Sequence, residues 1–245
     1  SIGGFNDVKH KIIEEVIMPL QYAKICRRIG VSPGRGFIVY GPSGCGKTHL
    51  LSCVGEESGL YMESISCCEF INEIETEKII KRAFANAKNA SPSILFFDNF
   101  EVLSQTGHQA SQNAINGHCS HIFMKYLDSL RKEKCDVVVI CATNAIDSIH
   151  PSLRRHGRFD VEISMGRQLS AAEKFDILQS CLSSTQYEAD IDLESMQIED
   201  DMQGFLACDI SGIVREAGLL AVVDAIHASN GDENLLLLDE NIPTI

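Results

Sequence analysis

The sequence has no excess of basic residues. Lys and Arg number 21 against 34 Asp and Glu, and the formal net charge is −13. That balance disfavours broad contact with nucleic-acid phosphates, which rewards clustered Lys and Arg, so no direct nucleic-acid partner is expected. No apolar run approaches the ~20 residues of a membrane span. The opening Ser1-Ile2-Gly3-Gly4-Phe5 has neither the basic nor the apolar region of a secretory leader. Ten cysteines occur without regular spacing. They read as small buried hydrophobes of an intracellular chain, cytoplasmic or nuclear, rather than as a disulfide framework. Cys67-Cys68 and His118-Cys119-Ser120-His121 match no common structural zinc spacing. There is no internal repeat and no low-complexity segment. The chain opens abruptly and ends in Asn241-Ile242-Pro243-Thr244-Ile245, so it is expected to be a piece of something longer.

What is present is a packed-core composition: 245 residues, 44% hydrophobic and 22% charged, enough for one large domain or two small ones. The most informative stretch is Gly41-Pro42-Ser43-Gly44-Cys45-Gly46-Lys47-Thr48, between apolar Phe37-Ile38-Val39-Tyr40 and a segment that reads as helix. It fits the phosphate-binding pattern G-x-x-x-x-G-K-[ST] in its strand–loop–helix setting. Glycines let successive N–H groups turn toward phosphate oxygens, and the helix N-terminus adds its positive end. Lys47 can reach the outer phosphates, and the Thr48 hydroxyl can ligate Mg²⁺. A chance Gly-rich turn would not supply that context. Cys45, near a helix N-terminus and beside Lys47, reads as a small loop residue ahead of a reactive thiol.

Along the chain, helix is predicted from about Asn6 to Leu20, ended by Pro19. Gly36 to Gly41 is a strand, followed by helix from about Lys47 to Glu57. Leu60 to Ser66 is a strand, and Ile74 to Lys88 a helix with its stripe at Ile79, Ile80, Ala83, Phe84 and Ala87. Ser93 to Asn99 is a buried strand, Gln105 to Gly117 a mobile surface loop, His121 to Arg131 a helix, Asp136 to Ala142 a buried strand and Val161 to Met165 a short one. This alternation predicts a parallel sheet with helices on both faces. Gly41, Asp98 and Asn144 then fall at carboxyl ends of strands, where such sheets bind ligands. From Gly166 onward helices take over. Ser170 and Glu173 form a capping box opening a helix to about Cys181. Asp192 to Gln197 is a possible short helix. Asp209 caps a longer one with apolar Ile210, Ile213, Val214, Ala217, Leu220 and Ala221, and Leu235 to Leu238 is assigned to the same core.

Four apolar residues followed by an acid, Ile94 to Asp98, supply the second half of a phosphate-loop nucleotide site, with Asp98 placed to hold Mg²⁺ through water. Beyond it, Ala142-Thr143-Asn144 and then Ile149-His150-Pro151-Ser152-Leu153-Arg154-Arg155-His156-Gly157-Arg158-Phe159-Asp160 resemble the second region of homology of the AAA family of ATPases. Ile2-Gly3-Gly4, the Gly36 lead-in and Gly204-Phe205 fit it too. The resemblance covers nearly the whole chain and is closest to the valosin-containing-protein branch and its nuclear relative. It does not choose between those and the peroxisomal relatives. It implies a P-loop NTPase fold, a three-layer α/β/α unit over residues 1–167, and a small all-helical lid over 168–245. It implies ATP or ADP with Mg²⁺, the metal at Thr48 and Asp98. Nucleotide contacts are implied for Gly3, the loop from Pro42 through His49, Asp98 and Asn144, and for Cys181, Ala207 and Cys208 near the adenosine. Asn144 would be the sensor of the terminal phosphate. Arg155 and Arg158 would be arginine fingers acting on a neighbouring subunit, within a ring that is commonly a hexamer. Such rings act on protein or ribonucleoprotein substrates.

The sequence also departs from that family. Active members carry Glu at the position of Asn99, where it polarises the attacking water. Asn cannot accept a proton at neutral pH, and losing a general base costs ~10²–10⁴-fold in rate. Glu101, two residues on, reaches the same side if the strand stays extended, a lesser alternative to a missing base. The segment Glu69 to Glu77 lacks the Gly and the aromatic residue of a substrate-pulling pore loop, and Phe70 reads as core. His150 stands where Asp is usual. Ala207-Cys208 replaces Gly-Ala, Cys181 falls where a His is common, and Ser43 and Cys45 replace Pro and Thr. Two readings follow: a nucleotide holder with weak or absent hydrolysis, which is favoured, and a working motor module. A GTPase or metabolite kinase would explain neither the arginine segment nor the helical region.

Overall fold

The computed structural model describes residues 3–30, 36–70, 73–104, 115–133, 135–166, 168–183 and 202–228. The chain divides into two compact units. One holds Asn6–Ser43 and Lys47–Gly166; the other holds Ser1–Phe5, Gly44–Gly46 and Arg167–Ile245.

In the first unit, five described strands form one parallel sheet: β1 (Gly36–Tyr40), β2 (Tyr61–Ser66), β3 (Ser93–Asp98), β4 (Val137–Thr143) and β5 (Val161–Ser164). Their order is β2-β3-β4-β1-β5. The three inner strands are the continuous apolar runs, and their residues are buried apart from the last of β1 and of β3, as strands covered on both faces require. Ile38, Leu95, Phe97, Val137, Val139 and Cys141 face α5 (Glu73–Asn89) and α7 (Ile115–Glu133). Their alternates Phe37, Val39, Ile94, Phe96, Val138 and Ile140 point the other way and are also buried. Phe84, Phe97, Phe100, Phe123 and Phe159 pack ring against ring, with Phe97 and Phe123 4.9 Å apart edge to face. This aromatic block fixes the β3 exit, on which the site depends. Phe70 is half-buried and packs against it.

Several boundaries differ from expectation. Helix does not stop at Pro19: α1 (Asn6–Ile12) passes through a π-helical turn, Ile13–Ile17, into α2 (Met18–Gln21), and α3 (Ala23–Ile29) follows. Across the wide turn Met18 N–H donates to the Ile13 carbonyl. That frees Pro19 from the bond it cannot make and relieves its ring of the preceding turn. Second, α7 begins at Ile115, so the end of the expected loop is helical; residues 105–114 lie outside the described ones. Third, β3 ends at Asp98 rather than Asn99.

In the second unit, α8 (Ala171–Leu182) carries the expected capping box, with Ser170 and Glu173 bonded reciprocally. The last described helix, α9 (Ala207–Ala228), starts two residues before Asp209. Asp209 caps from inside the first turn, its carboxylate accepting the Leu206 N–H at 2.8 Å. The expected stripe is only partly inward: Ile210 and Val214 are buried, while Ile213 and Leu220 are exposed. The Asp192 to Gln197 helix and the Leu235 to Leu238 run lie outside the described residues. No described helix is long and apolar enough to cross a membrane.

Candidate functional site

The carboxyl ends of β1, β3 and β4 place Lys47, Asp98 and Asn144 along one edge of the sheet. β1 pairs with β4, Tyr40 beside Thr143, and β4 with β3, so these ends are adjacent. Lys47 opens α4 (Lys47–Ser58) and is buried. Its ammonium donates to the Gly41 and Pro42 carbonyls, both at 2.9 Å, and to Asn144 Oδ1 at 2.7 Å. A cation is thus held at the mouth of the phosphate loop. Beside it the Thr48 hydroxyl donates to Asp98 Oδ2 at 2.7 Å. Two hard oxygen donors this close suit a small divalent cation such as Mg²⁺, and Thr48 and Asp98 are the residues that would hold it. Pro42, Ser43, Thr48 and His49 are exposed.

The β3 exit turns sharply. Asn99 has φ +52°, a left-handed conformation that Asn adopts more readily than most residues. Its N–H donates to Asp98 Oδ1 at 2.9 Å. Phe100 is buried and its N–H donates to the Ala142 carbonyl at 2.9 Å. The chain then enters the short helix α6 (Glu101–Ser104). Glu101 therefore follows a turn and opens a short helix, rather than lying on the extended strand considered from the sequence. Glu101 Oε1 accepts from Asn144 Nδ2 at 3.0 Å. Cys67, fully buried, has its thiol pushed well above the usual range by burial, and further by the Asp98, Cys68 and Glu101 charges.

On the β4–β5 connection, the arginines separate. Arg158 is clamped by Asp128 on α7, with two N–H to oxygen bonds of 3.1 and 3.0 Å, and a third N–H donates to the Ser152 carbonyl at 2.7 Å. Arg154 forms a similar fork on Glu162. Arg155 is exposed. Arg155 and Arg158 line an open cleft of about 810 Å³ with His121, Lys125, Asp128 and Lys132. The turn is held close to β1: Asp160 N–H donates to the Gly36 carbonyl at 3.1 Å, and a side chain at Gly36 would collide with the Arg158 carbonyl. His150 Nδ1 accepts the Ser152 N–H at 3.1 Å, the local bond an aspartate makes in such a turn. The Asp128 clamp lay beyond sequence reasoning, because its partners are 30 residues apart.

The second unit gathers the remaining candidates into two groups. Gly44 and Gly46 have φ of +82° and +94°, the left-handed backbone that glycine tolerates. Cys208 N–H donates to the Gly44 carbonyl at 3.0 Å, and Ala207 lies beside Gly46. Cys45 is buried, which fits the small-loop-residue reading. Gly3 lies so close to the α8 backbone at Asp176 that a side chain would collide with it. Cys181 is half-buried on α8, and burial raises its thiol pKa. The Cys208 thiol is raised by burial and then by Asp209, to which it donates.

Comparison with known proteins agrees with this geometry. Residues 37–167 match the family described as ATPase family associated with various cellular activities (AAA). The chain is 31% identical over 231 residues to the ATPase family gene 2 protein of Saccharomyces cerevisiae, covering 93% of the chain and 29% of that protein. It is also 31% identical over 227 residues to an uncharacterized AAA domain-containing protein of Schizosaccharomyces pombe, covering 90% of the chain and 28% of that protein. The chain spans less than a third of the length of these relatives.

Proposed function

The chain belongs to the AAA family of ATPases, and we propose that it is an ATP-binding module of a ring-forming ATPase in which hydrolysis is slowed by Asn99. The observation that carries this reading is the strand-end network. Lys47, Thr48 and Asp98 stand together where phosphates and Mg²⁺ would bind, while an amide occupies the position of the water-polarising carboxylate. Residues 1–167 form the nucleotide-binding subdomain and 168–245 the lid. Gly3, the loop from Pro42 through His49, Asp98, Asn144, Cys181, Ala207 and Cys208 contact nucleotide. Arg155, exposed, and Arg158, once released from Asp128, serve a neighbouring subunit's nucleotide, most simply in a hexamer. The branch is that of valosin-containing protein and its nuclear relative, the compartment cytoplasmic or nuclear, and the substrate a protein or ribonucleoprotein complex.

Thermal shift with ATP and GTP, each with and without Mg²⁺, tests the binding half of this reading. A ligand at 100 times its Kd adds about 2.7 kcal/mol to the unfolding free energy. The expected result is an upward shift with ATP that grows with Mg²⁺. Preference for GTP, or no shift with either, would refute it.

A further inference from the structure

We propose that Glu101 is the proton acceptor for the attacking water, displaced two residues from the position now held by Asn99. This rests on the reading that the chain binds ATP. Its backbone is pinned on both sides. Phe100 is buried with its N–H on the Ala142 carbonyl, and Leu103 is buried with its N–H on the Phe100 carbonyl at 3.0 Å. Between those anchors Glu101 Oε1 accepts from Asn144, and the other end of the same amide accepts from Lys47. One side chain therefore separates this carboxylate from the cation that meets the terminal phosphate. Its second oxygen, Oε2, is shielded from solvent and has no hydrogen-bond partner among the described residues. Leaving a buried acceptor unpaired costs about 1–3 kcal/mol, and more for a charged group, so its retention in a binding site calls for a use. A carboxylate held on Asn144 with spare acceptor capacity supplies the function that the Asn99 amide cannot.

In the step, the water oxygen bonds to the γ-phosphorus. The bond from that phosphorus to the β–γ bridging oxygen breaks, and its electron pair leaves with ADP. The water proton passes to the Glu101 carboxylate, which returns it to released phosphate or solvent.

Glu101 could instead serve only to hold Asn144. Glu101→Gln separates the two roles, because the amide oxygen still accepts from Asn144 but takes no proton. Phosphate release at saturating ATP and ATP binding by thermal shift are measured for wild type, Lys47→Ala, Glu101→Gln and the pair Asn99→Glu with Glu101→Gln. The expected loss in Glu101→Gln is about tenfold or more, with ATP binding retained and turnover restored in the double variant. Turnover of Glu101→Gln within about twofold of wild type, wild-type release no faster than Lys47→Ala, or a double variant as slow as Glu101→Gln would each overturn the proposal. Absence of ATP binding by wild type would remove the underlying nucleotide reading as well. ATP binding with turnover indifferent to Glu101 would remove this inference alone.

Discussion

The two sides of the strand-end site have fared differently. On the side proposed for phosphate and metal, Lys47, Thr48 and Asp98 keep the residue types of such a site, with Lys47 bonded to the Gly41 and Pro42 carbonyls and Thr48 to Asp98. On the side proposed for the attacking water, Asn99, one residue past the end of β3, stands where the family resemblance leads to the expectation of a carboxylate, and the backbone there turns to φ +52°. Two residues on, Glu101 carries a carboxylate bonded to Asn144. Both sides rest on the same buried strands, so the difference does not come from the fold. Binding needs a cation, hard oxygens and a curled loop, whereas hydrolysis also needs a base aimed at one water. The second demand is narrower, and it is the one that we assign to the Asn99 position.

The contrast can be broken from either side. The largest effect is expected from Lys47→Ala, which removes a cation bonded to two loop carbonyls and Asn144. Charged hydrogen bonds contribute about 1.5–3 kcal/mol, so ATP should bind roughly 10–100-fold more weakly by calorimetry. Asp98→Asn is milder. It keeps the shape beside Thr48 but removes the charge, and Mg²⁺ dependence should fall about tenfold, as for groups that hold a metal through water. If either variant bound Mg-ATP like wild type, the phosphate side would not be the intact half. The smallest effect is expected at the α8 cap. Ser170→Ala loses the bond from Glu173 N–H and should cost about 1 kcal/mol in thermal unfolding, with ATP affinity and turnover unchanged.

How far the sequence reveals this molecule depends on the range of the interaction. The inner strands are legible because burial on both faces forces an unbroken apolar run, and the Ser170 cap because its partners lie within one turn. Pro19 misleads because a π turn ahead of it, which has no residue signature, removes the usual conflict. The start of α7 is hidden by a polar first turn containing Gly117. At the site, the convergence of Gly41, Asp98 and Asn144 follows from strand ends alone. The Lys47–Asn144–Glu101 chain and the Arg158–Asp128 clamp do not, since each joins residues distant in sequence. Glu101 also depends on a left-handed turn at Asn99, a backbone state that sequence indicates only weakly.

The central claim is that Asn99 limits hydrolysis while leaving binding intact. Steady-state phosphate release by wild type and Asn99→Glu, at equal ATP saturation, tests it most directly. Glu fits the left-handed backbone less well than Asn, so the variant should lose about 1 kcal/mol of stability. Its turnover should nevertheless rise about tenfold or more, with ATP affinity unchanged. A wild-type rate already at ~1 s⁻¹ or above, with no gain from Asn99→Glu, would contradict the account.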